Sequence, residues 1–62
     1  MTEEEQYAIE EFCYAVRNLI NADEESIVGC RYALEMAVAE CQILGLDPSL
    51  ILPDGTYDGE LG

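Results

Sequence analysis

The stretch GCRYALEMAVAECQILGL, residues 29–46, decides the fold of this chain. Its apolar residues recur at the spacing of helical turns, which predicts a helix from about residue 24 to residue 44. Gly45 suits the left-handed position that follows a last helical turn, and Pro48 prevents the helix from continuing. The sequence therefore indicates a helix with a well-specified end.

The apolar residues of this second helix fall on two of its sides. One side is predicted to pack against the first helix of the chain: Ile27, Cys30, Leu34, Ala37, Val38, Cys41 and Leu44. A helix that is apolar nearly all round is typical of a buried helix. The nearly opposite side, called here the outer stripe, is therefore predicted to be buried between subunits of a homodimer or higher oligomer. The outer stripe consists of Val28, Tyr32, Met36, Ala39 and Ile43.

The first helix is predicted over residues 3–20. Thr2 and Glu5 have the spacing of a capping box, and apolar residues then follow at helical spacing. The connection NADEES, residues 21–26, is short, so the two helices are expected to be antiparallel neighbours. The fold class is therefore all-α: one small domain, 1–62, formed by a two-helix antiparallel hairpin. A short irregular tail, 46–62, follows it, with at most a single β-bridge near residues 51–57.

The charge of the chain limits its partners. Fourteen of its 62 residues are Asp or Glu and two are Arg, which gives a net charge of −12. Such a molecule repels DNA, RNA and anionic membranes and is attracted to basic surfaces. The N-terminal MTEEEQ lacks the basic and apolar regions of a signal peptide. We expect a cytoplasmic protein, in the host-cell cytosol if it is of phage origin, that contacts neither nucleic acid nor membrane directly.

No catalytic or metal-binding pattern is present in the sequence. The cysteines Cys13, Cys30 and Cys41 form no CxxC pair, and the chain has no His to complete a zinc site. All three fall at apolar helix positions and are expected to be buried thiols of a reducing compartment. Ser26 and Ser49 have no His to activate them. We therefore expect no enzyme, no metal and no cofactor.

Two tyrosines on the polar side of the first helix suggest a binding surface. Tyr7 and Tyr14 are seven residues apart, so they lie on one side of that helix. They are either amphipathic side chains lying on the surface or anchors of a partner contact. The predicted contact surface, called here the acidic tyrosine face, consists of Tyr7, Glu10, Glu11, Tyr14 and Asn18.

Three functions are compatible with these features of the sequence. The first is an inhibitor that mimics nucleic acid and occupies the basic nucleic-acid-binding surface of a target protein, as an anti-defence protein of a phage or mobile element does. The second is a helical interaction module, such as an antitoxin, adaptor or assembly factor, that docks through an apolar helix face. The third is a homo-oligomeric sponge for a small ligand, built where facing helices meet.

Overall fold

The computed structural model describes residues 2–59 and has two α-helices in them. Helix α1 spans Glu3–Ile20, the range that the sequence predicts, and helix α2 spans Ile27–Ile43. A 3-10 turn follows at Pro48–Leu50. Residues 2–59 contain no strand, and their one isolated β-bridge joins Ile51 and Tyr57. The expected all-α class is confirmed, whereas residues 60–62 of the predicted tail lie outside the described part of the chain.

Helix α1 begins with the predicted capping box. The Thr2 hydroxyl accepts a hydrogen bond from the Glu5 backbone N–H at 3.1 Å, and the Thr2 N–H donates to the Glu5 carboxylate at 2.8 Å. These bonds pair N–H groups that have no partner within the helix. They also lower the pKa of Glu5, because the Thr2 backbone and hydroxyl donate to the ionised carboxylate. The start of α1 is thus determined by two residues close in sequence.

Helix α2 begins at Ile27, so the predicted start at residue 24 is wrong. The Asp23 carboxylate accepts hydrogen bonds from the backbone N–H groups of Glu25 and Ser26, at 3.1 and 2.9 Å. It also accepts one from the Ser26 hydroxyl at 2.9 Å. These bonds hold Asp23 to Ser26 in a turn that leads into the helix, with the Ile27 N–H donating to the Asp23 carbonyl at 2.9 Å. The N-cap of α2 is therefore Ser26, and the residues from Asp23 to Glu25 belong to the turn before the helix.

The end of α2 is confirmed in detail. Gly45 has a φ of 78°, and its N–H donates to the Gln42 carbonyl at 3.1 Å. The Leu46 N–H donates to the Cys41 carbonyl at 2.8 Å, which completes a Schellman motif. The Leu46 side chain is buried in the same cluster as Cys41. The chain therefore leaves α2 in a fixed direction and returns over the hairpin.

The core lies where the N-terminal half of α1 meets the C-terminal end of α2. Ile9 and Cys41 are fully buried in it, and the Cys41 thiol donates to the Ala8 carbonyl at 3.8 Å. Part of the tail packs against this cluster through Ile51 and Tyr57. The core is small, because Ile9 and Cys41 are the largest side chains of residues 2–59 that are fully buried.

The tail lies against α1 and the end of α2. The Tyr57 hydroxyl accepts a hydrogen bond from the Asp47 N–H at 2.8 Å, which closes the tail on the Schellman turn. The Cys13 thiol of α1 donates to the Leu52 carbonyl at 3.5 Å.

Neither helix of the described residues is both long and apolar enough to cross a membrane.

Candidate partner-binding site

The acidic tyrosine face lies on the solvent side of α1. Ala8 and Ala15 are buried against the rest of the hairpin, and the tyrosines precede them by one residue each. At about 100° per residue, this offset turns Tyr7 and Tyr14 away from the core. Their side chains are 62% and 63% exposed. The structure therefore places both rings where a partner can reach them, and the other three members of the face are also exposed: Glu10, Glu11 and Asn18.

The carboxylate of Glu40 on α2 adjoins this face. The Glu11 carboxylate accepts a hydrogen bond from the Tyr7 phenol and repels its ionised form, which raises the pKa of Tyr7. The charge of Glu40 raises this pKa further. The Cys41 thiol, one residue after Glu40, donates to the carbonyl of Ala8, one residue after Tyr7, and this contact brings the two positions to neighbouring parts of the hairpin. The acidic surface thus extends from α1 onto α2. The predicted face does not include Glu40, because the sequence does not give the register of the two helices.

The tail supplies a second edge to the face. Glu10, Tyr14 and Arg17 of α1 line a groove of about 260 Å³ together with Asp54 of the tail. The Asp54 carboxylate accepts hydrogen bonds from the Thr56 hydroxyl at 2.6 Å and the Thr56 N–H at 3.0 Å, which lower the pKa of Asp54. Asp54 is therefore held ionised beside Glu10. The run Pro53-Asp54-Gly55 is typical of a turn, but it does not indicate that this turn lies against α1.

A second groove, of about 370 Å³, separates α1 from the tail, and sequence reasoning missed it. Its volume is within the range of small-molecule pockets, roughly 300–1,000 Å³. Arg17 is the one charged residue that lines it. Its walls are otherwise apolar or thiol groups: Phe12, Cys13, Val16, Ile20, Ile51, Leu52 and Pro53.

The outer stripe is open in the single chain. Val28, Tyr32, Met36 and Ile43 are between 56% and 78% exposed, and Ala39 is exposed as well. The described tail residues do not cover these side chains, because they pack against α1 and the end of α2. Burial of the outer stripe between subunits therefore stays a prediction.

The two predicted surfaces are neighbours. Glu40 lies four residues after Met36 and three before Ile43, which puts it at the edge of the outer stripe. The same carboxylate acts on Tyr7 of the acidic tyrosine face. The outer stripe and the acidic tyrosine face therefore border each other at Glu40, on one side of the hairpin.

The three thiols are unpaired and differ in exposure. Cys41 is buried, whereas Cys13 and Cys30 are partly exposed, so burial of all three was predicted too strongly. Burial raises the pKa of Cys41, and the nearby Glu40 and Cys13 act in the same direction. This environment disfavours the thiolate that nucleophilic chemistry needs. Within residues 2–59, no three Cys, Asp or Glu side chains are grouped closely enough to hold a metal ion.

Comparison with protein-family models, with curated proteins and with solved structures gives no match for this chain.

Proposed function

We propose that this chain is a non-catalytic acidic binding protein that occupies the basic nucleic-acid-binding surface of a target protein. The supporting observation is the acidic tyrosine face, where two carboxylates and two largely exposed tyrosines lie on one side of α1. Glu40 and Asp54 extend its negative charge onto α2 and the tail. Three segments of the chain thus contribute to one acidic surface.

The chemistry of this face matches that of a basic groove. Proteins that hold duplex DNA neutralise its phosphates with Lys and Arg. Carboxylates accept the same charge-assisted hydrogen bonds from those side chains, including the paired bonds of a guanidinium group. Exposed tyrosine rings add cation–π contacts with Arg or Lys. Asp54 contributes a carboxylate that Thr56 already holds in place and ionised.

The size of the net charge supports the same proposal. A small domain remains in solution with a net charge of magnitude about 2–8. The charge of −12 exceeds this range and destabilises the compact chain through self-repulsion. Glu10 and Glu11 lie far from the start of α1, so the helix dipole does not account for them. Attraction to a basic target accounts for this excess, and the setting that we propose is anti-defence by a phage or mobile element.

A second candidate function rests on the outer stripe. Exposed contiguous apolar side chains normally mark a contact surface. The alternative is therefore an interaction module, such as an antitoxin, adaptor or assembly factor, that places Tyr32 and Met36 in a groove of its partner. Binding of this kind depends little on salt, whereas binding to a basic nucleic-acid site weakens steeply as salt is raised.

The test begins with target proteins captured from the host cytosol and identified by mass spectrometry. Labelled DNA or RNA bound to each captured protein is then titrated with the acidic chain, and displacement is followed by fluorescence anisotropy. The informative variant is the double change Glu10→Lys and Glu11→Lys. The matched control makes the same charge change in the tail, at Asp58 and Glu60.

We expect displacement that weakens with salt and that the Glu10/Glu11 variant loses by more than about tenfold, since charge reversal adds repulsion at the contact. The tail variant should retain most of the activity. Equal losses in both variants mean that net charge alone acts, without a defined face. Targets that bind no nucleic acid, or salt-insensitive binding, would overturn the proposal in favour of the interaction module.

A further inference from the structure

We propose that two copies of this chain pack against each other through the outer stripe as an antiparallel, two-fold symmetric dimer. This proposal does not depend on the identity of the target. It starts from the imbalance between what the single chain buries and what it exposes. Two large side chains, Ile9 and Cys41, are fully buried in residues 2–59, whereas four large members of the outer stripe are more than half exposed.

The exposed area is sufficient for a dimer. Val28, Tyr32, Met36 and Ile43 together leave on the order of 500 Å² open, close to the largest apolar patch of a typical monomer. Two such stripes facing each other bury about 1,000 Å² in total, the lower limit for a specific interface. The polar residues at the edges of the stripe add to this area. The contact should therefore be specific but modest in strength.

Large and small side chains of the outer stripe face each other when the two α2 helices run antiparallel. The midpoint between Val28 and Ile43 is also the midpoint between Tyr32 and Ala39, and it falls just before Met36. A two-fold axis through this point sets Val28 against Ile43 of the second copy. It sets Tyr32 against Ala39 of the second copy, so that the largest side chain of the stripe meets the smallest. Met36 then packs near the axis against Met36 of the second copy.

The opposite arrangement fits less well. If the two copies ran parallel, Tyr32 would face Tyr32 and Ala39 would face Ala39 at the same heights. The two Tyr32 rings would hold the helices apart, and an empty space would remain between the two Ala39 side chains, two turns further along the helices. Close packing disfavours such voids. Contact along the whole stripe also needs a shallow crossing, because its 15 residue steps span about 22 Å, and angles near 20° allow this.

Two carboxylates and two guanidinium groups come together at one edge of the stripe in the antiparallel pair. Arg31 and Glu35 line a shallow depression together with Val28 and Tyr32, so both lie at that edge. An antiparallel two-fold pair brings each edge of the stripe against the same edge of the second copy. The two Glu35 carboxylates then approach each other near the axis, with one Arg31 about a turn away on either side. Two positive and two negative charges thus meet there, while most other acids lie away from the contact.

The effect of salt concentration distinguishes the proposed dimer from the proposed binding to a basic target. The dimer carries twice the charge of −12, and the resulting repulsion weakens association. Raising salt from about 0.1 M to 1 M shortens the screening length from about 10 Å to about 3 Å. Dimerisation should therefore strengthen with salt, whereas binding to a basic nucleic-acid site should weaken. Either proposal can fail while the other holds.

Cysteine cross-linking tests the arrangement directly. A disulfide requires Cα atoms less than about 7 Å apart. The variant Met36→Cys should therefore form a disulfide-linked dimer under mild oxidation, while Val28→Cys alone should not, because its two copies are far apart. Mixing Val28→Cys with Ile43→Cys should give the mixed disulfide, identified by mass spectrometry. The wild-type chain measures the background from its own three thiols.

Sedimentation of the wild-type chain and of Met36→Glu completes the test. The wild type should be dimeric at high micromolar concentration, and Met36→Glu should raise the dissociation constant by more than about tenfold. Met36 is exposed in the single chain, so the helical circular dichroism of this variant should persist. A strictly monomeric wild type, or cross-linking confined to Val28→Cys alone, would overturn the proposal. A dimer in which no stripe cysteine cross-links would place the contact elsewhere and overturn it equally.

Discussion

Tyr7 of α1 and Glu40 of α2 lie on the same side of the hairpin, close enough for the charge of Glu40 to raise the pKa of Tyr7. They are 33 positions apart in sequence, and the antiparallel pairing of the helices brings them together. Their proximity connects the acidic tyrosine face to the edge of the outer stripe. A partner that binds the acidic tyrosine face therefore also contacts the edge of the outer stripe.

The pKa of Tyr7 should depend on both neighbouring carboxylates. Replacing Glu11 with Gln removes the strongest influence, so the pKa of Tyr7 should fall toward the ordinary tyrosine value. Glu40→Gln should lower it by a smaller amount. The measurement is a spectrophotometric alkaline titration, in which Tyr7→Phe identifies the contribution of Tyr7. An unchanged titration in both variants would show that these carboxylates are not near the phenol.

Two glycine-to-alanine changes should have opposite effects on stability. Gly29 lies inside α2 with nothing within 4 Å of an added Cβ, so Gly29→Ala should stabilise the chain by up to about 1 kcal/mol. Gly45 has a φ of 78°, where a side chain is strained. Gly45→Ala should therefore destabilise by about 1–2 kcal/mol. Urea unfolding followed by circular dichroism measures both, and stabilisation by Gly45→Ala would refute the Schellman turn.

Stability should fall when the pH drops below about 4. Hydrogen bonds present only in the folded chain lower the pKa of four carboxyls: Glu5 through Thr2, Asp23 through Ser26, Asp47 through Ser49 and Asp54 through Thr56. A carboxyl whose pKa is lowered by folding adds stability above its unfolded pKa, about 4, and this stability is lost as pH falls through the folded pKa.

The urea midpoint should therefore stay level from pH 7 to about pH 5 and fall below about pH 4. High salt should leave this fall largely in place, because the hydrogen bonds that are lost are local. A midpoint that rises steadily down to pH 2 would show that the four hydrogen-bonded carboxyls contribute nothing to the fold.

Removing the charge of Glu35 should tighten the dimer. The antiparallel pair brings the two Glu35 carboxylates together near its axis, so Glu35→Gln removes a like-charge contact. Glu10→Gln makes the same change in net charge on α1, away from the outer stripe. Sedimentation should show a larger gain in association for Glu35→Gln than for Glu10→Gln. Equal gains would indicate that only the net charge matters and would contradict the antiparallel pairing.

The parts of the fold that were predictable depend on residues close in sequence. Thr2 and Glu5 are three residues apart, and Gly45 follows the last turn of α2. The start of α1 and the end of α2 are therefore both encoded by residues close in sequence. The start of α2 was missed because the hydrogen bonds of Asp23 to Glu25 and Ser26 hold these residues in a turn before the helix. Asp23 is also a residue type that is favoured at helix starts. Residue type alone does not distinguish that turn from a first turn of helix.

The parts of the candidate site that were not predictable depend on the path of the tail. Asp54 is brought beside Glu10 because Tyr57 anchors the tail to Asp47, ten residues earlier. The apolar groove between α1 and the tail has the same origin. Periodicity describes the face of a helix but not the course of an irregular segment, so these neighbours become visible only in three dimensions.

The burial of Cys41 makes this residue a natural reporter of how often the hairpin opens. Its thiol lies between the helices and donates to the Ala8 carbonyl, so an alkylating reagent reaches it only after the helices separate. Cys13 and Cys30 are partly exposed and provide an internal reference for intrinsic reactivity. The slow labelling rate of Cys41 thus measures the opening equilibrium under native conditions, without denaturant. If opening requires the two copies to part, this rate will fall as the protein concentration rises.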